Sequence, residues 1–335
     1  MATATTEVRQ ARQSELRARA TSLLQRQGVL VALILLILFG ALRYENFLSA
    51  YNVASVLRYN SMFGLIALGM TFVIMSDGID LSVGTMAALA SVIAALASPY
   101  GLLPGVVLPV VACMLLGLIS GTVIARLHIF PFIVTLAMLL AARGLALILA
   151  KNTSVAVSYT SGFTWIGQGD ILGIPVPAII LIVAYIIGSI MLNYTRWGRH
   201  VLAIGDNEEA ARLMGLPVER IRMSVYTLSG ALSGLAGVIL AAQFGAGQPT
   251  EGVGWELHAI ASVVVGGTLL TGGMGSVGAT FVGMLLLGLI FNILNFENGR
   301  GVVSLSAYWQ SVIRGVFLLV VVILQNRLAK REAGK

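Results

Sequence analysis

SMFGLIALGMTFVIMSDGIDLSVGTMAALASVIAALA, residues 61–97, is a pair of apolar arms joined by a turn written in Ser, Asp and Gly. Each arm holds about 16 residues, roughly 24 Å of helix, against a bilayer core of about 30 Å. Arms this short are compatible with a turn at the surface as well as one within the interface or deeper. Irregular backbone at that depth is tolerated only where protein buries it or it lines a wet cavity. A second hairpin, Leu257 to Leu294, turns on Thr271-Gly272-Gly273-Met274-Gly275-Ser276-Val277-Gly278. Both returning arms begin with Ser-Val-Gly, a faint internal repeat. Asp77 and Asp80 carry two readings. Acids at membrane depth mark solute or ion pathways, whereas Asp80 or Ser82 is also a natural cap for the returning helix, accepting its free amides. Capping is the favoured one. Gly272 and Gly273 are turn or pathway candidates in the same sense.

The composition around these hairpins is that of a chain dissolved in lipid. Of its 335 residues 58% are hydrophobic and only 10% charged, far from the balance of a soluble globule. Apolar spans near 29–42, 60–76, 82–97, 105–125, 132–150, 175–193, 224–243, 257–270, 276–294 and 307–324 predict an all-α, polytopic membrane protein of about ten transmembrane helices. The expected division is a tail over 1–28, a membrane domain over 29–324 with a long polar loop at 194–223, and a tail over 325–335. The apolar run starting at Val29 has no small-residue cleavage pattern directly after it, so it reads as a retained first span.

Basic residues orient this arrangement. Loop 194–223 holds Arg196, Arg199, Arg212, Arg220 and Arg222, and the terminal tails are rich in Arg and Lys. Segments on the other side hold only Arg43, Arg58, Lys151 and Arg300. The positive-inside bias predicts a cytoplasmic loop and two cytoplasmic termini. It also accounts for the net charge of +7 without nucleic acid, which needs a folded basic surface or a recognition motif. Arg143 and Arg314 lie inside spans, where pairing within the bundle is the favoured reading over solute contact.

Catalytic and metal chemistry find no foothold. The single cysteine, Cys113, lies in an apolar span and reads as a packing thiol. No HExxH pair or GxSxG set is present, and His128, His200 and His258 are far apart. The Gly-rich stretch after Val265 lacks the Gly-Lys-Ser/Thr ending of a phosphate cradle. Many glycines instead recur at three- or four-residue spacing, as in Gly230, Gly234 and Gly237 or near Gly283 and Gly288, which lets helix backbones approach closely in lipid.

The loop itself is written as a docking element. Asp206 or Asn207 caps a helix, Glu208 and Glu209 favour its positive end, and Gly215 followed by Pro217 stops it. A single short helix of about two turns is expected. Glu209-Ala210-Ala211-Arg212-Leu213-Met214-Gly215 resembles the EAAxxxG signature by which membrane subunits of ABC importers grip their ATPases.

Four ordered blocks extend that likeness over nearly the whole chain after residue 45: ALGMTFVIMSDGIDLSV (67–83), FIVTLAMLLAARG (132–144), GRHVLAIGDNEEAARLMG (198–215) and ELHAIASVVVGGTLLTGG (256–273). The chain resembles sugar-type ABC importer permeases, the group serving ribose, xylose, galactose and related solutes. The resemblance implies a bacterial inner-membrane subunit paired with a second permease copy or homologue, with the solute path between them. It implies an ABC ATPase that holds ATP and Mg, a periplasmic solute-binding protein, and no cofactor in this chain. It assigns Glu208, Glu209, Ala210, Ala211 and Gly215 to ATPase coupling. Two positions depart from the family's wording: Asp77 stands where a small residue is common, and His258 where Asp is common. The nearer alternatives are branched-chain amino acid or nucleoside ABC permeases, and GIDLSVG favours sugars. A proton-coupled secondary transporter, which needs a titrating Asp77 or Asp80 at the midplane, is the more distant rival.

Overall fold

A computed structural model describes residues 28–299 and, beyond them, residues 309, 312, 313, 315, 316 and 319. The tail over 1–27, most of the tenth expected span, Arg300, Arg314 and the tail over 325–335 lie outside the described residues. Apolar runs of the expected kind become helices α1 (Gly28–Arg43), α2 (Ala50–Met75), α3 (Val83–Ala97), α4 (Leu102–Leu127) and α5 (Pro131–Leu149). After a short helix α6 (Trp165–Gln168) come α7 (Val176–Tyr194), α8 (Arg196–Asp206), α9 (Glu208–Leu213), α10 (Val218–Phe244), α11 (Trp255–Val265) and α12 (Val277–Gly299). Among the described residues seven helices are long and apolar enough to cross a membrane, α3 counting with the single 3₁₀ turn Ser98–Tyr100, and α1 and α11 are shorter apolar helices. The protein is a multi-pass membrane protein. These helices alone do not establish the expected total of ten.

Helix α2 forms the axis of the bundle. Every residue from Asn60 to Met75 is buried, as expected of a helix apolar on all sides. It begins ten residues before the expected span, because Ser49 accepts the amide of Asn52 and caps it there. Asn52, Arg58 and Asn60 dilute the hydropathy of that first part without breaking the helix. The first arm of the hairpin is therefore 26 residues, not about 16, while the returning arm α3 has 15.

The outer helices show the inverse of a soluble surface. On α7, Ile182, Val183, Ile186, Ile187 and Ile190 are all exposed, and α4 and α5 present similar stripes. A continuous apolar exterior of this kind suits lipid. The inward face of α4 is instead made of small residues: Gly105, Pro109, Cys113, Gly117, Ser120 and Gly121 are buried. A Cβ on Gly117 would strike the Tyr226 carbonyl, and one on Gly230 the Cys113 carbonyl. Gly237 meets Ala87 and Gly283 meets Ser262 in the same way. The glycine spacing is thus the seam of close helix packing.

Among the described residues four two-residue strands are the small departures from an all-α chain. Val155–Ala156 pairs antiparallel with Ala246–Gly247, and Asp170–Ile171 with Ile174–Pro175. The first pair joins the segment after α5 to the exit of α10, at the opposite end of that helix from α9. With 27 residues α10 is about 40 Å long, so the strands and the 194–223 loop mark the two ends of the bundle.

Candidate functional site

The loop between α7 and α10 folds into two helices where one was expected. Thr195 caps α8 by accepting the amide of Gly198 at 3.2 Å. The buried side of α8 holds Gly198, Val201, Ile204 and Gly205, a helical spacing, with Arg196 and Asp206 exposed. Trp197 fixes it to the bundle, donating to Ser224 Oγ at 2.7 Å and meeting Phe72 edge to face with centroids 5.1 Å apart. The sequence signal for α8 was this spacing, diluted by the basic residues around it.

Helix α9 is the six-residue stretch Glu208–Leu213. Asn207 is the cap, its side chain accepting the amide of Ala210 at 2.8 Å, and Gly215 at φ +78° ends the turn. Of the five expected coupling residues, Glu209 and Gly215 are exposed and Ala210 is half-buried. Ala211 is fully buried in the chain's own core, so it sets α9 on the bundle and leaves other side chains to face outward. Glu208 is likewise turned inward electrostatically. One carboxylate oxygen lies 3.0 Å from Arg212 and the other 2.6 Å from Arg222 in the first turns of α10. The outward side ends in an apolar knob missed by sequence reasoning, Leu213 at 84% and Met214 at 70% exposure.

Both hairpin turns come to this same end of the bundle. The amide of Gly273 donates to the Met75 carbonyl at 3.1 Å. Gly272 and Gly273 have φ of +76° and +75°, and a Cβ on them would press on Asp77 and Asp206. A Cβ on Gly205 would collide with the Met75 carbonyl and sit 2.6 Å from the Gly273 nitrogen. Three segments distant in sequence, Met75–Gly78, Gly205–Asp206 and Gly272–Gly273, thus touch backbone to backbone. Contacts this close leave no side chain to absorb displacement, so a push on α8 and α9 is delivered to both hairpins.

The two acids of the first turn part company. Asp77 is exposed, at φ +59°, beside the loop. Partial burial holds its carboxyl above the usual range, with Arg222 opposing and Glu208 adding to the shift. Asp80, at 1% exposure, is buried. Its Oδ1 accepts the Ser82 amide at 3.0 Å and the Ser82 hydroxyl at 2.6 Å, and its Oδ2 accepts the Ser229 hydroxyl of α10 at 2.8 Å. Ser82 occupies the cap position of α3 without capping it by its own side chain; it gives its hydroxyl to Asp80. The carboxylate thereby staples the re-entering segment to α10. Among the described residues no Lys or Arg pairs with it, and no group of His, Cys, Asp and Glu is placed to hold a metal ion.

Comparison with known proteins places this geometry in a family. Residues 52–322 match the family described as branched-chain amino acid transport system / permease component. The ribose import permease protein RbsC of Escherichia coli K12 is 37% identical over 311 residues, covering 91% of this chain and 94% of that protein. RbsC of Bacillus subtilis 168 is 38% identical over 312 residues, 91% of this chain and 94% of that protein. The L-arabinose transport system permease protein AraH of Escherichia coli K12 is 38% identical over 307 residues, 91% and 92% of the two chains. No solved structure matches.

Proposed function

The chain belongs to the branched-chain amino acid transport system / permease component family, and from that premise we propose that it is the membrane subunit of an ATP-driven sugar importer. The observation that carries the solute class is kinship over nine-tenths of its length with permeases named for two pentoses, ribose and arabinose. The solute is a monosaccharide or a related small polyol, handed over by a periplasmic binding protein. Loop 194–223 and both termini face the cytoplasm of a bacterial inner membrane, as the basic residues favour. ATP and Mg are held by a separate ATPase, and a second permease subunit completes the path.

Helix α9 supports this division of labour. Its exposed Leu213 and Met214 offer the ATPase an apolar knob, and Glu208 with Arg222 ties the docked helix to α10. Closure of the ATPase then moves α8 and α9 against Met75 and Gly273, and through them both hairpins. Binding energy at an interface concentrates in a few anchors seated in a partner's pocket, each costing about 2 kcal/mol or more when removed. Replacing Leu213 and Met214 by Glu, or Gly215 by Glu, is expected to abolish uptake while the protein still reaches the membrane.

The function is tested by reconstituting the chain with its ATPase and binding protein and measuring ATP-dependent entry of labelled ribose, L-arabinose and leucine. Entry of a pentose, unaffected by collapse of the proton gradient, is the expected result. Import of leucine alone overturns the sugar assignment, and import lost with the proton gradient while ATP stays high overturns the ATP-driven one. Wild-type uptake by the Leu213→Glu, Met214→Glu double variant sinks the docking role of α9.

A further inference from the structure

We propose that a pocket at the end of the bundle opposite α9 is a monosaccharide subsite, the first station of the solute within this subunit; the proposal rests on the sugar-importer reading. The pocket has a volume of about 260 Å³ and is walled by Tyr59 and Met62 of α2, Phe244 of α10, Gln248 and Glu251 of the following loop, and Trp255. Drug-sized ligands occupy about 300–1,000 Å³, so this one suits something smaller, of a pentose's dimensions. Tyr59 stands roughly 14 Å along α2 from Ala50, inside the bundle's outer half.

The loop that makes the third wall is held in place by three independent ties. The backbone N–H of Gln248 donates to Ser91 Oγ at 2.9 Å. Ala246–Gly247 pairs with Val155–Ala156. Gly252 and Gly84 abut so closely that a Cβ on either would strike the other's carbonyl. The loop therefore folds back from the exit of α10 to the start of α3, and α11 begins there with Trp255. Behind the pocket the rings continue: Phe63 lies 4.7 Å from Trp255 and 5.4 Å from Tyr59 between centroids. Side chains on so fixed a frame are preorganised for a small ligand.

The chemistry of the lining selects the ligand class. Tyr59, Trp255 and Phe244 offer flat apolar faces, which accept the C–H faces of a sugar ring and fix its plane. Glu251 supplies two acceptors for adjacent hydroxyls, and the Gln248 amide both donates and accepts. Among the described residues neither side-chain polar group has a side-chain partner. Among the described residues no Lys, Arg or His lines the pocket. Its described lining carries a single formal charge, the Glu251 carboxylate, which disfavours phosphorylated or acidic sugars and leaves a neutral one.

The single, fully buried Cys113 allows a direct test in the reconstituted complex. Val253→Cys puts one accessible thiol on the pocket loop between Glu251 and Trp255, outside the lining itself, and its reaction with a methanethiosulfonate reagent is timed with and without ribose. Ribose at ten times its dissociation constant is expected to slow labelling about tenfold. A thiol at Leu172, fully exposed on another loop, should react at an unchanged rate. Adding Glu251→Ala to Val253→Cys should remove the protection. If Val253→Cys does not accumulate in the membrane, Thr250→Cys, exposed on the same loop and outside the lining, takes its place. Labelling indifferent to ribose and L-arabinose, in a complex whose wild type imports either, overturns the subsite and leaves the importer standing. Protection by ribose in a complex that imports no sugar overturns the importer and leaves the subsite. Protection by choline in place of ribose overturns the neutral-sugar assignment.

Discussion

Gly205→Val is expected to abolish uptake while the chain remains in the membrane. The substitution inserts a branched side chain where even a Cβ would overlap the Met75 carbonyl and crowd the Gly273 nitrogen. The neighbours are backbone, so no rotamer change relieves the overlap. Overpacking of this kind costs about 1–3 kcal/mol, and the cheapest relief is to lift α8 off both turns. Lifting it breaks the route from α9 to the hairpins. The partner ATPase should therefore still bind but lose its coupling to solute. The measurement is sugar entry alongside ATP hydrolysis in proteoliposomes, with Gly205→Ala as the graded case. Gly273→Ala adds the strain of a left-handed residue, about 1–2 kcal/mol, to its contact with Asp206, and should act in the same direction. Wild-type entry by Gly205→Val would show that the junction does not carry the motion.

Asp80→Ala is expected to lower the yield of folded protein sharply, whereas Asp80→Asn should keep most of it together with substantial uptake. Alanine leaves the Ser82 amide, the Ser82 hydroxyl and the Ser229 hydroxyl without their acceptor in the interior. An unsatisfied buried polar group costs about 1–3 kcal/mol, and three arise at once. Asparagine retains a carbonyl oxygen for Ser82 and presents an amide that donates to Ser229 Oγ, so the staple survives. An obligatory proton-coupling acid behaves in the opposite sense, because Asn preserves shape and removes titration. Thermal midpoints and uptake of both variants decide the matter: a stable Asp80→Asn protein devoid of uptake would reject the staple and make Asp80 a pathway residue.

The exposed Asp77 bears on the same contrast with a secondary transporter. It lies at the α9 end of the bundle within electrostatic reach of Arg222 and Glu208, so its neighbours are those of the coupling loop. Two residues separate it from the Asp80 carboxylate at 1% exposure. Nothing in Ser-Asp-Gly-Ile-Asp-Leu-Ser distinguishes the two, since burial depends on what packs over the turn.

Length and hydropathy are local properties, and they were enough to place α3, α4, α5, α7 and α12 within a few residues of where they stand. The Asn207 cap and the Gly215 stop of α9 were legible for the same reason, because both act on the backbone within one turn. The full length of α2 was not, since Asn52, Arg58 and Asn60 hide the apolar character of a helix that accommodates them in its first half. Tertiary structure alone decided that Ala211 faces inward and Leu213 outward, and that Gly205 touches both hairpin turns. It alone gave Asp80 its partner Ser229, 149 residues away, and brought Tyr59 to Trp255 around a pocket. Each of these is a contact between segments far apart in the chain. Such contacts depend on the shape and polar groups of whole helix surfaces, and within lipid on close backbone approach, which only the packed bundle brings face to face.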